Sequence, residues 1–168
     1  GLAGVAKGNG LAWSPRRRTL YWADTPTHTV KRFACDVYGN PLDDGEVFIK
    51  FDSKPTAWMP GEPGYGGRPD GAAVDVDGNY WCAMYEGGRV LQISPAGHIL
   101  AQHYTPALCP TMPCFGGGDG RTLYVTSARH GRSPAELAQL PLSGCVFAMR
   151  VGTAGLPTQP WRELGHAF

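Results

Sequence analysis

One plan recurs three times along these 168 residues, and that recurrence restricts the fold more than any other feature. In the stretch 69–100, Gly71-Ala72-Ala73-Val74 leads to an Asp77-Gly78 turn, then Tyr80-Trp81-Cys82-Ala83, then Val90-Leu91-Gln92-Ile93, closing on Pro95-Ala96-Gly97. The stretch 9–40 follows the same order, with Gly10 to Trp13, a turn at 15–18, Leu20 to Ala23, and Val30 to Phe33. A third copy spans 115–156, from Phe115-Gly116-Gly117-Gly118 and Asp119-Gly120 through Leu123-Tyr124-Val125-Thr126 to Val146-Phe147-Ala148-Met149. Short apolar runs bounded by Gly, Pro, Asn and Asp are strands joined by tight turns. Small antiparallel sheets repeated in one internal order point to β-propeller blades; a β-sandwich would not repeat that order. Gly (24) and Pro (15) supply the turns such an all-β chain requires.

Three repeats do not close a ring, because propellers close with about four to eight blades. Three sheets alone would also leave long edges open to pairing. The expectation is therefore a chain that forms part of a longer propeller. Residues 41–68 and 127–144 are expected as long loops between repeats, of the kind that more often carry function than decoration. Within the second, Ser133-Pro134 ahead of Ala135-Glu136-Leu137 marks a short helix, with Ser133 as cap and Pro134 at its first position.

Charge narrows the partners. A net charge of +1 gives no electrostatic footprint for nucleic acid or a membrane surface. No apolar run is long enough to span a bilayer, and the residues from Gly1 to Lys7 do not read as a signal peptide. Five cysteines at irregular spacing favour a reducing, cytoplasmic setting. Cys82 and Cys145 are expected as buried strand thiols, while Cys109 and Cys114 lack the second pair a zinc site needs. The five histidines are scattered, and no nucleophile elbow, P-loop or dinucleotide fingerprint occurs.

The candidate site comes from the repeats themselves. Asn9-Gly10 and Asp70-Gly71 occupy the same repeat position, the residue entering the innermost strand, so their side chains are expected to converge at the axis. An amide oxygen and a carboxylate meeting there form a hard donor set suited to a divalent cation. Pro69 and Gly71 hold Asp70 rigidly, as a metal ligand or general base requires. The same dipeptides are also common turn formers. In the third repeat Phe115-Gly116 takes that position and would form an apolar wall. Asp24 and Asp75 read as structural hydrogen-bonding groups or solvated side chains, and Arg16-Arg17-Arg18 as a solvated turn.

Taken in order, Asn9-Gly10-Leu11-Ala12-Trp13-Ser14-Pro15, Leu20-Tyr21-Trp22-Ala23-Asp24, Arg68-Pro69-Asp70-Gly71, Gly87-Gly88-Arg89-Val90 and Cys114-Phe115-Gly116-Gly117 with Leu123 to Ala128 resemble a known family. That family is the senescence-marker-protein/gluconolactonase group, the regucalcin-like sugar lactonases, and the match is to its C-terminal half. The resemblance implies a six-bladed β-propeller of which this chain supplies about three blades, residues 1–168 being the C-terminal part of one domain. It implies one divalent metal ion (Ca, Zn, Mg, Mn or Fe) held by an early Glu, by the Asn of Asn-Gly and by the Asp of Pro-Asp-Gly, here Asn9 and Asp70. It further implies hydrolysis of a small-molecule sugar lactone, gluconolactone-like, to the open hydroxy acid, the metal polarising the carbonyl and Asp70 activating water. The early Glu and the family's substrate-contacting Arg and Asn have no counterpart here, so the N-terminal half of the ring would be required. Gly8 and Arg16-Arg17 also depart from the family pattern. The alternatives are a non-catalytic metal- or ligand-binding propeller, or a hydrolase of other esters.

Overall fold

A computed structural model describes residues 6–157. The architecture is almost entirely β, in three antiparallel meanders. The first sheet runs β1 (Gly8–Trp13), β2 (Thr19–Asp24), β3 (Thr29–Ala34), β4 (Glu46–Lys50). The second runs β5 (Arg68–Val74), β6 (Tyr80–Tyr85), β7 (Arg89–Ile93), β8 (Ile99–Tyr104), and the third β9 (Pro110–Gly116), β10 (Thr122–Ser127), β11 (Val146–Arg150). Each sheet is ordered as the chain is, so every connection is local, and the three stack face to face in a propeller-like manner with β5 lying beside both β1 and β9. One short helix, α1 (Pro134–Gln139), begins as its sequence predicts: the Ser133 hydroxyl accepts the Glu136 amide, and Pro134 sits in the first turn. Among the described residues no helix is long and apolar enough to cross a membrane.

Why β6 reads as an unbroken apolar run follows from its place in the middle sheet. Side chains alternate across a strand. Tyr80, Cys82 and Met84 point into a core shared with Tyr21, Ala23 and Val30 of the first sheet, while Trp81 points the other way, against Leu123 and Val125 of the third. A sheet covered on both faces leaves no polar side. The outermost strands β4, β8 and β11 are largely exposed, and carry charged or polar groups such as Glu46, Lys50, Gln102 and Arg150 that discourage edge pairing.

Several expectations are corrected. The stretch 41–68 is not all loop, because Glu46-Val47-Phe48-Ile49-Lys50 adds a fourth strand to the first sheet, and Ile99–Tyr104 does the same beyond residue 100 in the second. Both are exposed strands, in which the apolar signal is diluted. The third sheet begins at Pro110 rather than Phe115, since Pro110-Thr111-Met112 pairs with the end of β10 and Phe115 with its start at Leu123. Thr111, not Phe115, therefore stands at the bulge of the third sheet's inner strand, the place that Asp70 takes in the second. Phe115 lies at the opposite end, edge-on to Trp81 with ring centroids 5.3 Å apart. Cys145 is exposed and precedes β11, whereas Cys82 is buried as expected.

Asn9-Gly10 and Asp70-Gly71 are not turns. Both dipeptides lie inside strands, at bulges that recur in β1, β5 and β9 near the same end. A bulge re-aims side chains without ending the strand. The ladder places Asn9 opposite Ala23 and Pro69 opposite Met84, so Asp70 falls one step further into its strand than Asn9 does. The glycines have a packing reason. A Cβ on Gly10, at φ +54°, would stand 2.7 Å from the Asp70 carbonyl oxygen, and one on Gly71 would stand 2.5 Å from that of Thr111. Only glycine lets the inner strands approach so closely.

Candidate metal centre and active site

Asn9 and Asp70 meet in one cavity of about 420 Å³, lined by Lys7, Asn9, Thr25, Pro26, Arg68, Asp70 and Tyr85. Four elements build it: the starts of β1 and β5 bring Asn9 and Asp70, the end of β6 brings Tyr85, and the 3-10 turn Thr25–Thr27 after β2 brings Thr25 and Pro26. A larger groove of about 960 Å³ runs along the inner strands past Leu11, Ala73, Met112 and Phe115. Its walls are mostly apolar and hold no carboxylate, and the two candidate residues both line the smaller cavity.

The orientation of Asn9 follows from hydrogen-bond accounting. The buried Thr25 hydroxyl lies 2.7 Å from the carbonyl oxygen of Pro69, which can only accept, so the single hydroxyl proton is committed there. The neighbour of Thr25 Oγ1 on its other side must then be a donor. It is Asn9 Nδ2, at 2.8 Å. The amide nitrogen being turned to Thr25, Asn9 Oδ1 is left on the opposite side, available as an oxygen donor. One threonine thus ties both candidate residues together, through the Asn9 side chain and the backbone just before Asp70.

Asp70 is half-buried, and no described residue donates a hydrogen bond to its carboxylate or stands in an ion pair with it. Burial pushes its carboxyl above the ordinary value of 3.8, and the positive charges of Lys7 and Arg68 offset this only in part. An unpartnered, partly desolvated carboxylate beside a free amide oxygen is a donor set that a divalent cation fits. Among the described residues no cluster of three His, Cys, Asp or Glu side chains is placed to hold a metal, so by themselves Asn9 and Asp70 would offer a cation only two donors.

Behind the cavity lies a charge hub that sequence reasoning missed. Glu86, 4 % exposed and held at φ +63°, receives Lys54 at 2.9 Å, Arg132 at 3.1 Å and Arg68 at 3.5 Å. Arg132 also grips Glu136 of α1 at 2.6 Å. Burial raises the Glu86 carboxyl, but hydrogen bonds from Lys54 and Arg132 with the charge of Arg68 outweigh it and leave the group below its ordinary value. The hub fastens both long connections, through Lys54 and Arg132, to the rim of the site. Nearby, burial lowers the His28 pKa, and its Nε2 is 2.7 Å from the Tyr65 hydroxyl. His130 is exposed and apart from the site. Asp75 is structural, as expected: fully buried, it accepts from the amides of Asp77 and Asn79 and from the side chains of Asn79, Trp81 and Gln92. Thr25, Lys7, Arg68 and Tyr85 were not singled out from sequence. The one available signal was position, since the residue after β2 and the last residue of β6 must stand beside the starts of β1 and β5 in an antiparallel pair.

A family model described as the SMP-30/Gluconolactonase/LRE-like region matches residues 2–129. The chain is 48% identical over 151 residues to a 6-deoxy-6-sulfogluconolactonase of Pseudomonas putida, covering 90% of this chain and 48% of that protein. It is 35% identical over 151 residues to regucalcin of Danio rerio, covering 89% and 48%. Among solved structures, the calcium-binding protein regucalcin of Agrobacterium tumefaciens matches with a TM-score of 0.78 at 28% identity, over 90% of this chain and 48% of that one. The chain spans about half the length of the curated relatives it matches. With a family model covering most of its residues and with these relatives, the chain belongs to the SMP-30/gluconolactonase/LRE-like family.

Proposed function

We propose that the protein hydrolyses a sugar lactone to the open hydroxy acid, with Asn9 and Asp70 at the reacting centre. The observation that carries this is the pairing in one cavity of an unpartnered Asp70 carboxylate with an Asn9 oxygen oriented by Thr25. The names of the relatives, a sulfogluconolactonase and a calcium-binding regucalcin, support the reaction class and a divalent ion. We further infer that the three sheets are blades of a six-bladed propeller, residues 1–168 forming its C-terminal part. The remaining blades and further metal donors would come from chain outside these residues, a reading supported by the half-length match to relatives. The free thiols of all five cysteines favour a cytoplasmic setting.

Asn9 Oδ1 and the Asp70 carboxylate would hold the cation. When bound, a divalent ion supplies Lewis acidity toward the lactone carbonyl. Asp70 takes a proton from water at a carboxylate oxygen, the resulting hydroxide adds to the lactone carbonyl carbon, and the ring C–O bond breaks. The departing alkoxide recovers a proton, giving a hydroxy acid.

The test is ring opening of D-glucono-1,5-lactone above the spontaneous rate, with and without Ca²⁺, Mn²⁺ or Zn²⁺. Asp70→Asn should lower metal-dependent turnover by at least about 100-fold, the usual span for losing a general base. Turnover like that of the unaltered protein would overturn the assignment. Metal binding with no lactone opened would instead favour a binding protein.

A further inference from the structure

Two cations share the cavity with Asn9 and Asp70, and the protein leaves both incompletely paired. Arg68 opens β5, two residues before Asp70, with its guanidinium carbon 4.9 Å from the centre of the Tyr85 ring. It reaches Glu86 through one nitrogen only, at 3.5 Å, and its side chain keeps 30% of its exposure. Glu86 is already served at closer range by Lys54 and Arg132. Across the hub, Lys54 and Arg132 balance Glu86 and Glu136, which leaves the charge of Arg68 in excess. Lys7 has no ion-pair partner among the described residues. Facing these two cations in the cavity is one carboxylate, Asp70, and a bound divalent ion would add further positive charge.

The two cations of the lining outnumber its one carboxylate, and an excess of one sign in a concave site concentrates counter-ions. The overall charge of the chain is only +1, so this field is local. Arg68 is also suited to grip rather than merely attract. The Tyr85 ring and Glu86 hold its guanidinium in place, and a planar fork held in place can bind an oxyanion through two parallel hydrogen bonds.

We propose that this site takes lactones bearing an anionic substituent (carboxylate, sulfonate or phosphate), with Arg68 gripping the oxyanion and Lys7 adding charge. The proposal rests on the lactonase reading above. It makes Arg68 the residue that sets substrate preference.

D-glucono-1,4-lactone and D-glucaro-1,4-lactone share a ring and differ in a terminal hydroxymethyl against a carboxylate, which makes them a matched pair. The quantity read is the ratio of their kcat/KM values, so that any general effect of a variant on turnover cancels. The unaltered protein should favour the glucaro-lactone by at least about tenfold at low salt, the worth of one charge-assisted hydrogen bond. That preference should shrink as ionic strength rises. Arg68→Gln should cut the ratio by at least about tenfold, and Arg68→Lys should retain part of it, since charge persists without the bidentate fork. A ratio near one in the unaltered protein, or an unchanged ratio in Arg68→Gln, overturns the proposal while leaving lactone hydrolysis standing. If neither lactone opens, the lactonase reading fails by itself. Calorimetric titration with D-glucarate against D-gluconate then decides the anion site: a glucarate preference lost in Arg68→Gln sustains it, and equal affinities end it.

Discussion

Thr25→Val removes one hydroxyl and keeps the shape of the side chain, so it isolates the bridge between the two candidate ligands. Thr25 is 8% exposed, and its hydroxyl donates to the Pro69 carbonyl at 2.7 Å and accepts from Asn9 Nδ2 at 2.8 Å. Losing the first bond removes a donor from a buried acceptor, at about 1–3 kcal/mol. The second costs less, about 0.5–1.5 kcal/mol, because Asn9 is only half-buried and water can replace the partner. The sum, about 1.5–4.5 kcal/mol, corresponds to a fall in Tm of roughly 3–18 °C for a chain of this size. The larger consequence concerns function. With nothing holding its nitrogen, the Asn9 amide can turn and present N–H where oxygen is needed, so divalent-ion affinity should fall by about 10–100-fold, as when partners that orient a ligand are lost. Mn²⁺ titration by calorimetry reads this directly, with Thr25→Ser as the control that keeps the hydroxyl and should bind as the unaltered protein does. Side-chain amide resonances add a readout independent of metal, since the Asn9 NH₂ signals should shift in Thr25→Val. The reasoning is refuted if Thr25→Val binds Mn²⁺ normally while Asn9→Ala does not.

Other perturbations test the electrostatics. Burial raises the Asp70 carboxyl above 3.8, so the metal-free fold favours its protonated form: the stabilising contribution is present below that pH and lost as pH rises through the folded value. Asp70→Asn has no charge to bury, and in chelator it should raise Tm at pH 7, with a gain that shrinks toward pH 4; a lower Tm at pH 7 contradicts this. Glu86→Ala strands Lys54 and Arg132 without their buried partner and should cost about 3–5 kcal/mol, a fall in Tm of roughly 6–20 °C by calorimetry. A loss under about 1 kcal/mol would mean that the hub is solvated rather than buried.

How much of this was legible in the sequence differs from element to element. The first two strands of the 9–40 and 69–100 repeats are legible because short apolar and aromatic runs end at turn formers, Ser14-Pro15 in one and Asp77-Gly78 in the other, and those are local signals. β4 and β8 were missed because exposed strands carry little apolar periodicity. In sequence the third repeat reads from Phe115, whereas its inner strand begins at Pro110, because Gly116-Gly117-Gly118 imitates the small residues that open the first two inner strands. Those glycines in fact belong to the end of β9 and the turn toward β10. Asn9 and Asp70 were recognisable as a pair by repeat position, yet their glycines were open to reading as turns. Only the packing shows that Gly10 and Gly71 admit a neighbouring backbone.

By itself the sequence determined an all-β chain of repeated meanders and two oxygen-bearing residues at matching places in two of them. Those features depend on neighbours a few positions apart, where alternation and turn chemistry act. Tertiary structure alone decided what surrounds the pair. Thr25 and Pro69 are 44 positions apart and Arg132 and Glu86 are 46 apart, and no periodicity links such residues. A hydrogen bond or ion pair acts over about 3–4 Å, and only the stacking of one sheet on the next, with the connections fastened across them, brings these groups within that reach.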